Sequence, residues 1–539
     1  MANLPKIAVF SGPTATISNS PPLITSNKAR AEHGFDLLPG RFDALRPQRL
    51  ATPVTVYVEA LSAHPLERDA ADLYAPPDGW LDEGGEFHRA DPGFGTPVHR
   101  IRLEPGDGLY PLPFMGRQAD GSPWDGPGVD PISDHDHTRQ TFYPDSSRLY
   151  EEIDRLGIGG DGGANLLSSQ ARFDHFRAAP SGGYRRATQP EVPGEDYFGY
   201  YPFHLRTEPH LGSLARATNM VQNTLDTDEY IGAQWLEGSS TTEETMYWLG
   251  LVIDTSVPLV GHLAQRAHQL AGADGDRNII DGVEYLTSGV ALDESGRDLV
   301  GAVVIVDEVV FAARDAAKTD ARPGNFVATG GHGGIVATMG GAGRPKLTYL
   351  PTRRHTHRSE VHLGLMPTEV PAVHGAIGDA TAITATVKDD HGTLLTDAMP
   401  QVQIVKFGRY HGRDDGLEII ERTKANLAAG SLGGFVAEGM SPYGLMNLAQ
   451  DDALRIATFC GHPTVVVGRG NTGGMASDLG PLVVSGDNLT ATKARMLLMA
   501  CLLRFGTLPP AKDPTHPTKD EYRATRTAVS TLQHIFATH

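Results

Sequence analysis

Short, β-branched and almost uninterrupted apolar runs recur along this chain, and helical patterns lie between them. The runs are KIAVF (6–10), YIGAQWL (230–236), VPLVG (257–261), VGAVVIV (300–306), FVAE (435–438) and PTVVVG (463–468). A strand with one wet face carries a polar residue at every second position. Runs without that alternation belong to strands buried on both faces, the habit of parallel sheets. Between them, LARATNMVQNTL (214–225), TEETMYWLGLVI (242–253), GLEIIERTKANLA (416–428) and TATKARMLLMACLLRF (490–505) place apolar residues at helical spacing. Alternating strand and helix predicts a doubly wound α/β fold. The stretch 351–399 breaks the alternation with PTEVP and KDDHG. It reads as the connection between two α/β domains, one over 1–350 and one over 400–539.

A chain of 539 residues exceeds one ordinary core. Its net charge of −19 argues against nucleic acid and against anionic membranes as partners. No apolar run reaches the length of a membrane span. MANLPKIAVF lacks the basic-then-apolar pattern of a signal segment. Cys460 and Cys501 form neither a disulfide framework nor a zinc-ligand spacing, so a cytoplasmic location is expected. Glycine and proline concentrate in 75–130 and 157–205, which read as irregular surface segments. The aromatic run YFGYYPFHL within them argues for ordered packing.

Chemistry concentrates at strand ends. EGSSTTEETMYW (237–248) sets four hydroxyl residues before two glutamates. Ser240 with Glu243, or Thr241 with Glu244, fits a capping box, and a helix start needs only one or two hydroxyls. The others follow the strand YIGAQWL, at the end where open α/β sheets bind ligands. Thr14 follows KIAVF in FSGPTATI, and Lys318 follows VGAVVIV in DEVVFAARDAAKTD. A hydroxyl is a weak nucleophile until a base takes its proton, and a desolvated lysine is such a base. Together these groups suggest acyl transfer. Taken singly, Thr14 is a turn residue, Ser239 a cap and Lys318 a solvated charge. GIGGDGG (157–163) and GGHGGIVATMGGAG (330–343) lack the strand and helix of a nucleotide site and read as loops. DHDH (134–137) and RRHTHRSEVH (353–362) carry metal-ligand residue types without helical i, i+4 spacing. No metal and no cofactor are expected.

In order and spacing these segments resemble the bacterial-type L-asparaginase family. FSGPTATI resembles its GGTIA segment, which places Thr14 on the nucleophilic threonine. EGSSTTEET resembles HGTDTMEET. TMYWLGLVIDTSVPLVG and GADGDRNIIDGV resemble the helix, strand and ADGxxNLxxAV element that follow. VVIVDEVVFAARDAAKTD resembles the strand and loop supplying the catalytic lysine, which maps to Lys318. RRHTHRSEV falls on the inter-domain connection, and GGFVAEGMSPYGL and VVSGDNLTATKARMLLMACL follow the C-terminal domain. MGRQADGSPW (115–124) resembles the GSQDMND loop that binds the substrate carboxylate, which maps Gln118 to its glutamine and Arg117 to its serine.

The resemblance implies two asparaginase-type α/β domains, the first enlarged by insertions near 75–115 and 125–205. It also implies a homodimer or homotetramer with active sites at subunit contacts. The departures are specific. Ser239 and Ser240 stand where the family has threonine and aspartate, so the carboxylate that holds the substrate ammonium is gone. ISNSPPLITSNKAR has no lid tyrosine, and the partner-subunit asparagine falls near Pro442. The expectation is an amidohydrolase for a small linear or cyclic amide (lactam, imide or ureido acid) without a free α-amino group. Thr14, Ser239, Ser240 and Lys318 would be catalytic, with backbone N–H groups near Thr14 and Ser239 as oxyanion donors. Arg117 and Gln118 would bind substrate. The nucleophile is either Thr14 or Ser239. The alternatives are a genuine L-asparaginase releasing aspartate and ammonia, and an inactive protein that binds small amides.

Overall fold

The apolar runs form strands with both faces covered: every residue of Gly232–Leu236, Leu259–His262, Val303–Val306 and Thr464–Gly468 is buried. This computed structural model describes residues 4–12, 54–58, 78–82, 86–103, 150, 153, 166–177, 211–238, 241–266, 272, 274–319, 326–328, 334–340, 344–408, 410, 412, 415–470, 474 and 479–539. The chain divides into two units, one of residues 1–210, 234–238 and 262–283, the other of 211–233, 239–261 and 284–539.

In the first unit, β1 (Lys6–Ser11) pairs in parallel with β6 (Arg172–Arg177) in the register Lys6 opposite Arg172. The last residues of β7 (Gly232–Leu236) continue the order as β7-β1-β6. Here Phe10 stacks on Trp235 with centroids 6.5 Å apart. A separate antiparallel sheet has the order β2-β5-β3-β4, from Val54–Val58 (β2), Gly79–Leu81 (β3), Phe87–His88 (β4) and Thr96–Leu103 (β5). Residues 79–103, read from the sequence as irregular, are therefore partly sheet. TPVHRIRL sets Ile101 and Leu103 at strand spacing, a signal the surrounding glycines and prolines obscure.

In the second unit, α1 (Leu211–Leu225), α2 (Thr242–Val252) and α3 (Gly275–Ser288), which begins in the first unit, accompany the strand order β14-β13-β10-β9-β8-β7. Its members are β8 (Leu259–His262), β9 (Val303–Val306), β10 (Val309–Ala312), β13 (Ile335–Met339) and β14 (Pro345–Leu347). The pairs β9–β10, β10–β13 and β13–β14 are antiparallel, so this sheet is mixed where the apolar runs suggested a parallel one. The cause is local. Asp307 and Glu308 both take left-handed backbone (φ 51° and 62°), the conformation of a two-residue hairpin turn, and a two-residue turn can only reverse the chain. Beyond β10, β11 (Ala316–Lys318) and β12 (Phe326–Ala328) form a small antiparallel pair.

Residues 351–399, read as a connection, contain a full hairpin of β15 (Glu369–Ala376) and β16 (Asp379–Thr386). A parallel sheet follows in the order β17-β18-β19-β20, from Gln401–Lys406 (β17), Gly433–Gly439 (β18), Thr464–Gly468 (β19) and Val484–Ser485 (β20). Its helices are α4 (Leu417–Ala429), α5 (Leu448–Phe459), α6 (Ala491–Phe505) and α7 (Lys519–Thr538). Phe435 and Ala437 of β18 pack with Ile419 of α4 and with Ala453, Leu454 and Ala457 of α5. On the other face a side chain at Gly434 would come within 3.0 Å of Leu498 of α6. Helices thus cover both faces, which is the two-sided burial the apolar runs require. No helix among the described residues is long and apolar enough to cross a membrane.

Candidate active site

In the first unit the C-terminal ends of β1 and β7 close on each other. The Gly12 N–H donates to the Leu236 carbonyl at 2.8 Å. Any side chain at Gly12 would lie 2.7 Å from the Trp235 ring, so the close approach requires glycine there. The Trp235 indole N–H donates to Glu237 at 2.7 Å, and the Glu237 N–H donates to the His262 carbonyl at 3.1 Å. Behind them Gln234 sits 2.9 Å from His262 Nε2 and accepts from the Tyr150 hydroxyl. The loop after β8 is held by Asp274, which accepts the backbone N–H of Gln265 at 2.9 Å and of Arg266 at 2.8 Å. Asn278, four residues on, donates to Asp274 at 3.1 Å and to the Leu263 carbonyl at 2.7 Å. The ADG-to-Asn spacing is therefore a clamp: a carboxylate just before α3 and an amide in its first turn fix the loop after β8.

In the second unit Lys318 is the last residue of β11 and is half-buried. Its backbone N–H donates to Glu243 Oε2 at 2.9 Å, and its ammonium lies 6.0 Å from the Phe326 ring centroid. Glu243 belongs to the first turn of α2. Burial raises the Glu243 carboxyl above its ordinary pKa, against the opposing pull of the Lys493 charge and the Lys318 N–H. Lys493, on α6, is buried and donates to the carbonyls of Ala313 (2.8 Å), Arg314 (2.9 Å) and Ala316. Burial lowers its pKa to about 8, resisted by Glu243 and Asp315.

Of the residues singled out from the sequence, Lys318 is described, while Thr14, Arg117, Gln118, Ser239 and Ser240 lie outside the described residues. So does DHDH. The link between β7 and α2 does not cap as expected. Thr241 is the N-cap, but its backbone is helical (φ −102°, ψ −23°) and its side chain makes no capping bond. That departs from the Thr241–Glu244 box; Glu243 accepts from Lys318, and its other expected box partner, Ser240, lies outside the described residues. Within RRHTHRSEVH, His355 is a core residue, edge-on to Tyr247 and stacked on His539 at 5.1 Å, with burial pushing its pKa well below the usual range. Asp82, Glu86 and His88 bring donor atoms within 4.8 Å of one another and could hold a cation. They already bind among themselves, with His88 Nε2 2.8 Å from Asp82 Oδ2 and the Glu86 N–H donating to Asp82 at 2.8 Å. Sequence reasoning missed Lys493 altogether. Its one signal is a lysine near the start of the largely buried helix in TATKARMLLMACLLRF, where a buried ammonium must find partners.

Residues 210–343 match the family model described as asparaginase, N-terminal. Over 239 residues the chain is 27% identical to a glutaminase-asparaginase of Pseudomonas aeruginosa, covering 42% of this chain and 60% of that one. Over 158 residues it is 28% identical to a glutaminase-asparaginase of Acinetobacter glutaminasificans, covering 29% and 44%. The chain thus spans 60% and 44% of the length of these two relatives. Among solved structures it aligns with a probable cytoplasmic L-asparaginase from Campylobacter jejuni at 20% identity and a TM-score of 0.44, covering 61% of this chain and 86% of that one.

Proposed function

We propose that this chain, an asparaginase-family protein, is an amidohydrolase that cleaves a small linear or cyclic amide through a hydroxyl nucleophile and an acyl-enzyme. The observation that carries this reading is the 2.9 Å bond from the Lys318 N–H to Glu243. It ties the lysine hairpin to the first turn of α2, the helix that begins directly after Ser239 and Ser240. In this reading the hydroxyl oxygen of Thr14 or Ser239 attacks the amide carbonyl. Its proton passes to Lys318 Nζ and then to the departing nitrogen, which leaves as ammonia or an amine; in a ring it stays tethered. Water, deprotonated by the same amine, then opens the ester and frees the hydroxyl.

The substrate preference follows from Ser239 and Ser240, which supply hydroxyls where the family has threonine and aspartate. An α-ammonium has lost its counter-charge, so amides without one are favoured. A second reading, an asparaginase or glutaminase with a rebuilt ammonium site, is supported by the names of the two curated relatives. Ammonia release or ring opening is measured with L-asparagine, L-glutamine, succinamic acid, lactams, cyclic imides and ureido acids, using the wild type and Lys318→Ala. Turnover of the des-amino or cyclic amides, lost in Lys318→Ala, supports the first reading. L-Asparagine or L-glutamine as the best substrate supports the second, and binding without turnover of any amide overturns both.

A further inference from the structure

Lys318 is held from behind by two groups that take no part in acyl transfer. β11 is three residues long and, among the described residues, pairs only with the equally short β12. So small a hairpin has little stability of its own, and left to itself it would not fix a side chain to a fraction of an ångström. Two helices grip it instead. The Lys493 ammonium of α6 donates to the carbonyls of Ala313, Arg314 and Ala316, and the Glu243 carboxylate of α2 accepts the N–H of Lys318.

We propose that Lys493 and Glu243 are positioning residues, an ammonium and a carboxylate that together set where the Lys318 side chain begins. The proposal rests on Lys318 being the proton carrier of the reading above. An ammonium has three N–H donors, and here three backbone carbonyls of one turn take them. Burying a lysine is costly, and an apolar residue would fill the same space at no such cost. The cost is offset only by what the ammonium holds. Around it stand Glu243, Glu244 and the Tyr247 ring at 6.0 Å, all on α2, with Arg314 and Asp315 on the gripped turn itself. Glu243 faces two ways: its charge acts on Lys493 while one oxygen takes the Lys318 N–H. Residues 313–318 are thereby fixed at one end to α6 and at the other to the helix that follows the serine pair.

The test uses the full chain and an amide the wild type turns over, with Lys493→Met, Glu243→Ala, Lys318→Ala and the double variant Lys493→Met/Lys318→Ala. Misplacing a catalytic group by about 1 Å costs on the order of 10²-fold. Lys493→Met is therefore expected to lower kcat about 10²-fold and to change KM by less than about threefold. In the Lys318→Ala background it should add no further loss, because a residue acting through Lys318 has nothing left to act on. Amide hydrogen exchange over 313–318 should quicken in Lys493→Met, with exchange in β17–β19 unchanged. Equal loss in both backgrounds, an unchanged kcat or unchanged exchange at 313–318 would overturn the proposal. Should Lys493→Met fail to fold, Glu243→Ala carries the same comparison, since it removes the grip on the Lys318 N–H and leaves the carbonyl partners of Lys493 in place. If the wild type turns over no amide, the functional reading fails by itself, while the exchange measurement still decides whether Lys493 anchors the turn.

Discussion

Asp298 is buried, and it ties two distant segments to its own turn. Its carboxylate accepts the N–H groups of Val300 (3.1 Å) and Gly301 (3.0 Å) and the Thr356 hydroxyl (2.9 Å). Its own N–H donates to the Ser256 carbonyl at 2.6 Å, and Arg358 donates to its carbonyl at 2.7 Å. Burial outweighs these bonds and raises its pKa from 3.8 to about 6. The folded protein therefore keeps this proton up to about pH 6, whereas the unfolded chain releases it near 3.8. Between those values the folded state binds more protons, so this group's contribution to stability falls as pH rises and is flat above. At about 1.4 kcal/mol per factor of ten, the full fall is on the order of 3 kcal/mol. Asp298→Asn removes the titration but also one acceptor, and leaving a buried donor unmet costs about 1–3 kcal/mol. The variant should be close to wild type at pH 7 and clearly less stable than it at pH 4.5. The difference between the two proteins should shift by about 2 kcal/mol across that range. Urea unfolding followed by tryptophan fluorescence at several pH values measures it, and other titrating groups cancel in the difference. Parallel stability–pH curves for the two proteins would refute the reasoning.

Lys318→Ala should lower amide turnover at least ~10²-fold, the usual scale for loss of a general base, and near-normal turnover would remove the mechanism. Thr14→Ala and Ser239→Ala should each be severe, and mass spectrometry of quenched reactions should find acyl-enzyme in all but the variant lacking the nucleophile. A buried ammonium without its counter-charge costs roughly 3–5 kcal/mol, or about 10²–10³ in affinity. Succinamic acid should accordingly exceed L-asparagine in kcat/KM, and the reverse order would restore the asparaginase reading. Light scattering at micromolar concentration should find a closed dimer or tetramer, as symmetric assemblies commonly are; a fully active monomer contradicts that.

The elements legible in the sequence are those whose signal is complete within a short window. All six apolar runs became strands, because burial on both faces leaves no polar residue to obscure them. The β15–β16 hairpin escaped because EVPAVHGA buries Val370 and Ala372 but exposes Glu369, Pro371 and His374, and its proline argues against a strand. β10 went unread because it is four residues long and Asp307 and Glu308 turn without the usual asparagine or glycine. α7 buries Thr525, Val529, Leu532 and Phe536 at helical spacing behind a Thr518–Glu521 capping box; both were readable and stood in a run of charges. At the candidate site, Lys318 was singled out through its place after a strand. Glu243 was read only as a capping residue, because its bond to Lys318 spans 75 residues and leaves no local signal. Lys493 binds backbone carbonyls 177 to 180 residues away, and a carbonyl leaves no trace in a sequence.

Among the described residues β14 ends the hydrogen-bonded order of its sheet, and three residues form it. An open sheet edge is a template on which another strand can grow, and fibrils begin that way. Here the edge opens with Pro345, which has no N–H to offer, and continues with the exposed Lys346, which any stacked copy would meet with a lysine of its own. Copies of this chain that meet edge to edge at β14 are therefore opposed twice, by a missing donor and by like charge.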